Sequence, residues 1–463
     1  MREYLVGIKG TGMSHLAGYL AKAGDDVCGE DIAEDFYTAP LLDGIDIRPL
    51  GSRLPEDIDE LVASAGFLDR EVAAIREARE RGIPVLSYPQ KLAQLSRDRF
   101  TLAISGTHGK STTCAAASHV ASLAGLEAGS IYGSRLLDGS SPWHGGDRGL
   151  VIEACEYRRH FLLYDADVLV ITSLAFDHPD CYETLDDVKA AFRDRVVAMK
   201  RGSLVICHDS LKRSVKDWQS ERPDLTFVSY GPRGDYSLSK RVDGSYALNS
   251  SAQGFKSAEV DKAILYDLVG GLLGAAALNC GLSGLGWNHL DSEAYSLLPF
   301  LSSFPGLAAR GELVADEGGV MYIDDYAHHP DEIKVALSNI AHKYGRHRLV
   351  VLFMPHTASR TKALLPRFVD SLVGCDALFI QDAYASSRND GGSSLELYKA
   401  LDRRVFRSLY TRLGTVVHVK DDEMAVSVLS SFLEDGDILV TLGAGDNRRL
   451  IPLIAKRRAE RIS

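Results

Sequence analysis

The run SGTHGKSTT, beginning at Ser105, sets two glycines, a lysine and three consecutive hydroxyls within nine residues. Glycines let a backbone approach a polyanion, lysine adds a point charge, and a hydroxyl directly after it can reach a magnesium ion. The apolar segment FTLAIS precedes the run and the helix-forming CAAASHVASLAG follows its hydroxyls. Phosphates would then meet the unpaired N–H groups of a helix N-terminus. Gly106, Thr107, His108, Gly109, Lys110, Ser111 and Thr112 are the candidate phosphate-binding residues. Two residues separate the glycines where the longer form of this loop has four, so the loop is a shortened relative. The competing reading, a plain glycine turn before a helix, leaves the lysine and its three hydroxyls unexplained.

Two further stretches carry oxygen and nitrogen ligands. EACEYRRHF contains Glu153 and Glu156 directly after an apolar run, and either carboxylate suits a hard dication. AFDHPDCY follows the next apolar run with Asp177, His178 and Asp180. A histidine there can be a hydrogen-bonded core residue or a ligand; the adjacent acids make the two readings equal on chemistry alone.

A second glycine loop, GIKGTGMSHLAG, places Gly10, Gly12 and His15 after an apolar segment, and Glu30 and Asp31 come about twenty residues later. The third glycine of a dinucleotide fingerprint is replaced by His15. This favours a diphosphate-bearing ligand other than a nicotinamide cofactor, against the alternative of a structural turn.

Short apolar runs alternate with segments of helical period nearly throughout, the mark of parallel sheets with crossover helices. The fold class is α/β, in three blocks. The first has strands at 4–8 and ending at CGED, with a helix near 14–23. The second has strands in FTLAIS, GLVIEA, DVLVITSL and GSLVICHDS, then a turn-rich stretch over 230–260 that suits a small antiparallel excursion. The third has strands at 349–354, 377–380, 416–419 and 438–442. LVGGLLGAAAL, from Leu268, is shorter than the roughly 18 residues of a membrane span and reads as a buried, close-packed helix.

Composition narrows the function. The chain has 463 residues, 45% hydrophobic and 25% charged, which fits about three globular domains. A formal charge of −11 argues against a general nucleic-acid surface, so an anionic ligand must be held by local donors. Seven cysteines without paired spacing read as free thiols of a reducing compartment. An apolar segment at the very start, without a charged leader, predicts a cytoplasmic protein with no membrane association.

Taken together, the two loops, EACEYRRHF, DHPDCY, DDYAHHPDE from Asp324 and MPHTASRTKALL from Met354 resemble the Mur ligase family of bacterial cell-wall synthesis. The resemblance runs in order over nearly the whole chain, and its last two motifs are the most specific. It implies a UDP-sugar-binding Rossmann-like domain over 1–98, a central ATP-binding P-loop domain over 99–302, and a Rossmann-like domain over 303–463 that contributes the amino-acid site. It implies that Lys110 contacts the β- and γ-phosphates, that Ser111 and Glu156 hold one magnesium ion and His178 a second, and that Arg310 and Asp325 reach the ATP. Gly10, Thr11, Gly12, Met13 and Asp31 would hold the UDP-sugar. Tyr326, His328, His356 and Arg360 would line the incoming amino acid, with Arg360 the partner of its carboxylate.

The implied reaction is ATP-dependent amide formation between L-alanine and the lactyl carboxylate of UDP-N-acetylmuramate through an acyl phosphate, by a monomer or homodimer in the cytoplasm. Two alternatives stand beside it: a recycling ligase that attaches a preformed peptide to the same sugar nucleotide, and a non-catalytic nucleotide-regulated binding protein. Several positions depart from the family pattern. Thr172 and Ser173 replace a threonine-asparagine pair, Tyr266 and Asp267 replace a histidine-asparagine pair that helps hold ATP, and Phe192 stands where sister ligases carry a modified lysine. Thr357 stands where some members have arginine and receives no role.

Overall fold

The computed structural model describes residues 1–462 except 34–37, 140–143, 241, 243–245, 252–255, 261–265, 346, 387–388, 408–411 and 444. The described chain forms three main sheets, and by compactness it divides into two units, Met1–Phe176 with Cys181–Leu307, and Asp177–Asp180 with Ala308–Ser463. The first two sheets share the first unit.

The first sheet is wholly parallel, in the order Asp46–Pro49, Asp26–Asp31, Arg2–Val6, Glu60–Ala63, Val85–Ser87. Strand order reverses beside the central strand Arg2–Val6, which is where a doubly wound sheet opens a crevice for a ligand. The helix Thr11–Lys22 starts there, with Gly10 as its N-cap. The burial of Tyr4, Leu5, Val6 and Ile8 explains why this stretch reads as a continuous apolar run.

The second sheet has nine strands. Phe100–Ser105 lies between Gly149–Glu153 and Val168–Ile171, all parallel, so SGTHGK, EACEY and TSLAF leave neighbouring strands at the same sheet edge. Beyond Leu204–His208 and Thr226–Tyr230, the strands Tyr236–Lys240, Tyr246–Ser250 and Lys256–Val260 form the expected antiparallel excursion. Residues 241, 243–245 and 252–255 of this stretch lie outside the described residues.

The apolar helix expected near Leu268 is Tyr266–Leu282, and its small residues are there for contact. A Cβ on Gly271 would stand 2.6 Å from Ala116 Cβ on Lys110–Leu123, so the helices can approach this closely only with glycine. No described helix is long and apolar enough to cross a membrane. All seven cysteines are free.

In the second unit, Arg310–Glu317 pairs antiparallel with Val320–Asp325. The parallel strands Asp437–Gly443, Arg348–Met354, Ala377–Gln381 and Thr415–Val419 then complete six. The edge pair, the short parallel strands of the first sheet, and Ala128–Ile131 and Thr226–Tyr230 of the second are among the strands that sequence patterning did not isolate; Asp46–Pro49 and Val85–Ser87 are too short to show a period.

Candidate active site

In the first unit, the candidate phosphate loop is built by two glycines in left-handed backbone. Gly106 has φ 136° and Gly109 φ 83°. A Cβ on Gly106 would meet Thr172 Oγ1 at 2.1 Å, and one on Gly109 would meet Asp267 Oδ1 at 2.7 Å. Neither position tolerates a side chain.

The loop is pinned to the end of the neighbouring strand. Ser173 Oγ accepts from the His108 N–H at 2.8 Å, Thr172 Oγ1 donates to the His108 carbonyl, and Thr107 Oγ1 accepts from the Ala175 N–H at 2.9 Å. Ser173, noted in the sequence only as a departure, therefore holds the loop itself together with Thr172. Asp267, another departure, packs against Gly109.

Lys110 opens the helix Lys110–Leu123 and folds back over its own loop. Its Nζ donates to the carbonyls of Gly106 and Thr107 and, at 3.1 Å, to Glu156 Oε2. Burial alone would lower the pKa of this ammonium, but Glu156 and the groups behind it outweigh that and raise it, so Lys110 stays charged. Ser111 Oγ donates to Glu153 Oε2 at 3.0 Å, and the same oxygen accepts from the Gly133 N–H. Both glutamates thus face the loop, one through the lysine and one through the serine. Hydroxyl and carboxylate oxygens are the donor set a magnesium ion requires.

At the other glycine loop, Gly12 lies under Tyr88, whose ring would stand 3.0 Å from an added Cβ, and Met13 is buried. The Asp31 carboxylate accepts from the N–H groups of Lys9 and Ile32 at 2.7 and 2.8 Å, bracing the loop before Gly10. His15 is fully buried, with Nδ1 2.7 Å from the Thr11 carbonyl oxygen and Nε2 2.6 Å from that of Ser134. It tethers the start of this helix to the loop after Ala128–Ile131.

The second unit gathers the predicted amino-acid residues. Asp325 ends its strand, and burial pushes its carboxyl up to about 6, with Arg310 opposing the shift. The Arg310 guanidinium lies over the Tyr326 ring, 5.5 Å from its centroid. Tyr326 meets His328 edge-on at 5.2 Å, and His328 meets His356 at 5.3 Å. Burial, which Glu332 only partly offsets, lowers the His328 pKa to about 3. The ring is therefore neutral near pH 7, and its Nδ1 donates to the Tyr326 carbonyl at 3.0 Å.

Arg360 is buried, and its Nε and Nη2 donate to Asp177 Oδ1 and Oδ2 at 2.8 and 3.2 Å. It sits on the short helix Ala358–Ala363, whose N-cap is Thr357, with Oγ1 accepting from the Arg360 N–H. Sequence reasoning gave Thr357 no task, although a threonine three residues before the end of a helical turn is a capping signal. His178 belongs to the second unit with Asp177, whereas Ser111 and Glu156 belong to the first.

Residues 4–100 match the family model "Mur ligase family, catalytic domain", and residues 309–445 match "Mur ligase, glutamate ligase domain". The UDP-N-acetylmuramate--L-alanine ligase of Treponema pallidum (strain Nichols) is 34% identical over 468 residues, covering 97% of this chain and 95% of the relative. The ligase of the same name from Borreliella burgdorferi is 30% identical, covering 96% of each. Among solved structures, the UDP-N-acetylmuramate-alanine ligase of Thermotoga maritima shares the fold with a TM-score of 0.71 at 22% identity, covering 100% of this chain and 99% of that one. A murein peptide ligase of Psychrobacter arcticus does so with a TM-score of 0.72 at 20% identity, covering 98% and 99%. The relatives match over nearly the full length at 30–34% identity, and the fold agrees: this chain belongs to the Mur ligase family.

Proposed function

We propose that the protein joins L-alanine to the lactyl carboxylate of UDP-N-acetylmuramate, converting ATP to ADP and phosphate. One observation carries the reading: 34% identity over nearly the whole of a ligase of that name, in a chain whose phosphate loop keeps Lys110 charged against Glu156.

ATP phosphates would sit in the loop from Gly106 to Thr112 at the N-terminus of Lys110–Leu123, held by the N–H groups from Gly109 to Thr112, since those of Thr107 and His108 are bonded to Ser173. Lys110 would turn from its own loop carbonyls to the β- and γ-phosphates. A lactyl carboxylate oxygen attacks the γ-phosphorus, the bond to ADP breaks, and an acyl phosphate forms. The alanine ammonium loses one proton to solvent, the amine then attacks the acyl carbon, the bond to phosphate breaks, and phosphate leaves with the second amine proton. The demand on the protein is positioning and charge stabilisation, as in other phosphoryl transfers. Ser111 and Glu156 would hold a magnesium ion, with Glu153 beside them and His178 for a second; bound there, magnesium neutralises phosphate charge. Gly10 to Met13 and Asp31 would take the UDP-sugar, and Arg310 and Asp325 would meet the nucleotide.

For the amino acid, neutral His328 has its proton on Nδ1, which leaves Nε2 as an acceptor that can orient the amine. Arg360 would meet the carboxylate, and Tyr326 and His356 would close a small pocket. One extra methylene in such a pocket costs about 1–3 kcal/mol, so serine and glycine should be weaker substrates rather than non-substrates. An ATP-consuming reaction in a chain of free thiols belongs in the cytoplasm.

An amino-acid panel with purified protein tests the reading. Release of ADP and phosphate only with UDP-N-acetylmuramate and an amino acid, L-alanine leading, is expected. A tripeptide outrunning L-alanine would transfer the reading to the recycling ligase, and nucleotide binding without turnover would transfer it to a regulator.

A further inference from the structure

We propose that Asp177 is a positioning residue of the amino-acid site, acting through Arg360; the inference rests on the ligase reading above. A guanidinium has two edges that can each take a carboxylate, the side edge Nε/Nη2 and the end edge Nη1/Nη2. Asp177 occupies the side edge, with Oδ1 2.8 Å from Nε and Oδ2 3.2 Å from Nη2. Both side chains are buried, at 6% and 8% exposure, so water does not compete for the pair. The carboxylate is itself held in place, because Oδ1 also accepts the backbone N–H of His178 at 2.7 Å, a residue in left-handed backbone with φ 54°.

With the side edge engaged, the end edge is the one left to face a ligand. Nη1 points to His356 Nδ1 at 3.2 Å. Arginine can only donate, so His356 accepts at Nδ1 and, when neutral, carries its proton on Nε2. One carboxylate thereby sets the plane of Arg360 and, through it, the tautomer of a neighbouring pocket histidine. The incoming carboxylate would meet a guanidinium already fixed in orientation, so little side-chain entropy is lost on binding.

Steady-state kinetics of the full chain test this with Asp177→Asn, Arg360→Lys and the double variant. Asp177→Asn keeps the size but turns an amide N–H toward an arginine N–H. The expected result is a KM for L-alanine raised at least tenfold, with kcat within about threefold and the KM values for ATP and UDP-N-acetylmuramate within about twofold. The double variant should be no worse for L-alanine than Arg360→Lys alone, since the two residues act as one unit. An unchanged L-alanine KM in Asp177→Asn, a loss confined to kcat, or single-variant effects that multiply in the double variant would each overturn the proposal. If Asp177→Asn does not fold, Asp177→Glu, which keeps the charge and displaces it by one methylene, must show the same selective rise; a parental KM there overturns the proposal equally. Failure of the ligase reading itself shows first, as a parent enzyme that does not turn over L-alanine, and the same cycle is then judged on whichever amine the panel supports.

Discussion

Lys110 Nζ lies 3.1 Å from Glu156 Oε2, a carboxylate that is 1% exposed. The lysine is thus the counter-ion of a buried charge as well as a candidate phosphate ligand, and its removal has two separable effects. Lys110→Ala should lower turnover at least ~100-fold, and retention of more than about a tenth, a loss of only ~1.4 kcal/mol, would be too small for the role. It should also destabilise the protein by about 3 kcal/mol, because one partner of a buried pair is left behind. Adding Glu156→Gln should recover part of the melting temperature and none of the activity. Thermal melts and product assays on the single and double variants check both halves.

Ser173 holds the candidate phosphate loop through the His108 N–H, so Ser173→Ala should loosen the loop without touching the fold. A lost hydrogen bond of about 1 kcal/mol corresponds to roughly a fivefold weaker hold on ATP. The expected signature is a raised KM for ATP with L-alanine KM near the parent value. Equal rises in both would show that the hydroxyl serves the whole protein rather than the loop.

Thr357 caps the helix that carries Arg360. Thr357→Ala should cost about 1 kcal/mol of stability, while Thr357→Ser keeps the oxygen and should cost less. Because the cap bond ends on the Arg360 N–H, the alanine variant should also raise the L-alanine KM, and serine should restore it. Denaturant midpoints read the first effect and kinetics the second.

Asp325 gives a pH test of stability in the absence of nucleotide. Its carboxyl is raised by burial to about 6, against about 3.9 in an unfolded chain. The folded state therefore binds the proton more tightly, and this stabilisation is complete below about pH 4 and lost as pH rises through about 6. Asp325→Asn removes the titration. Its melting temperature should match the parent near pH 4 and exceed it near pH 8, by an amount equivalent to at most ~3 kcal/mol. A difference that is the same at both ends would mean that Asp325 is not the titrating group.

Local features of this protein were legible in its sequence because backbone conformation and amphipathicity depend on near neighbours. FTLAIS, read as a strand, is the strand Phe100–Ser105 to the residue, and the glycines after it take the left-handed backbone that a phosphate loop needs. The alanine- and glycine-rich run from Leu268 declared a buried helix by its composition alone, and the turn residues after Tyr230 declared an antiparallel excursion.

What only the tertiary structure decided is which distant groups share a hydrogen bond. Strand order puts the ends of Phe100–Ser105, Gly149–Glu153 and Val168–Ile171 side by side, and only then does Ser111 find Glu153, Lys110 find Glu156, and Thr172 and Ser173 become the braces of the loop. Spacing along the chain could not separate the two glutamates, since Glu153 ends the same strand that Glu156 follows. Nor could it foresee that the side edge of Arg360 would be taken by Asp177, far away in sequence, because a charge's partner is set by burial and by which segments pack together rather than by the residues beside it.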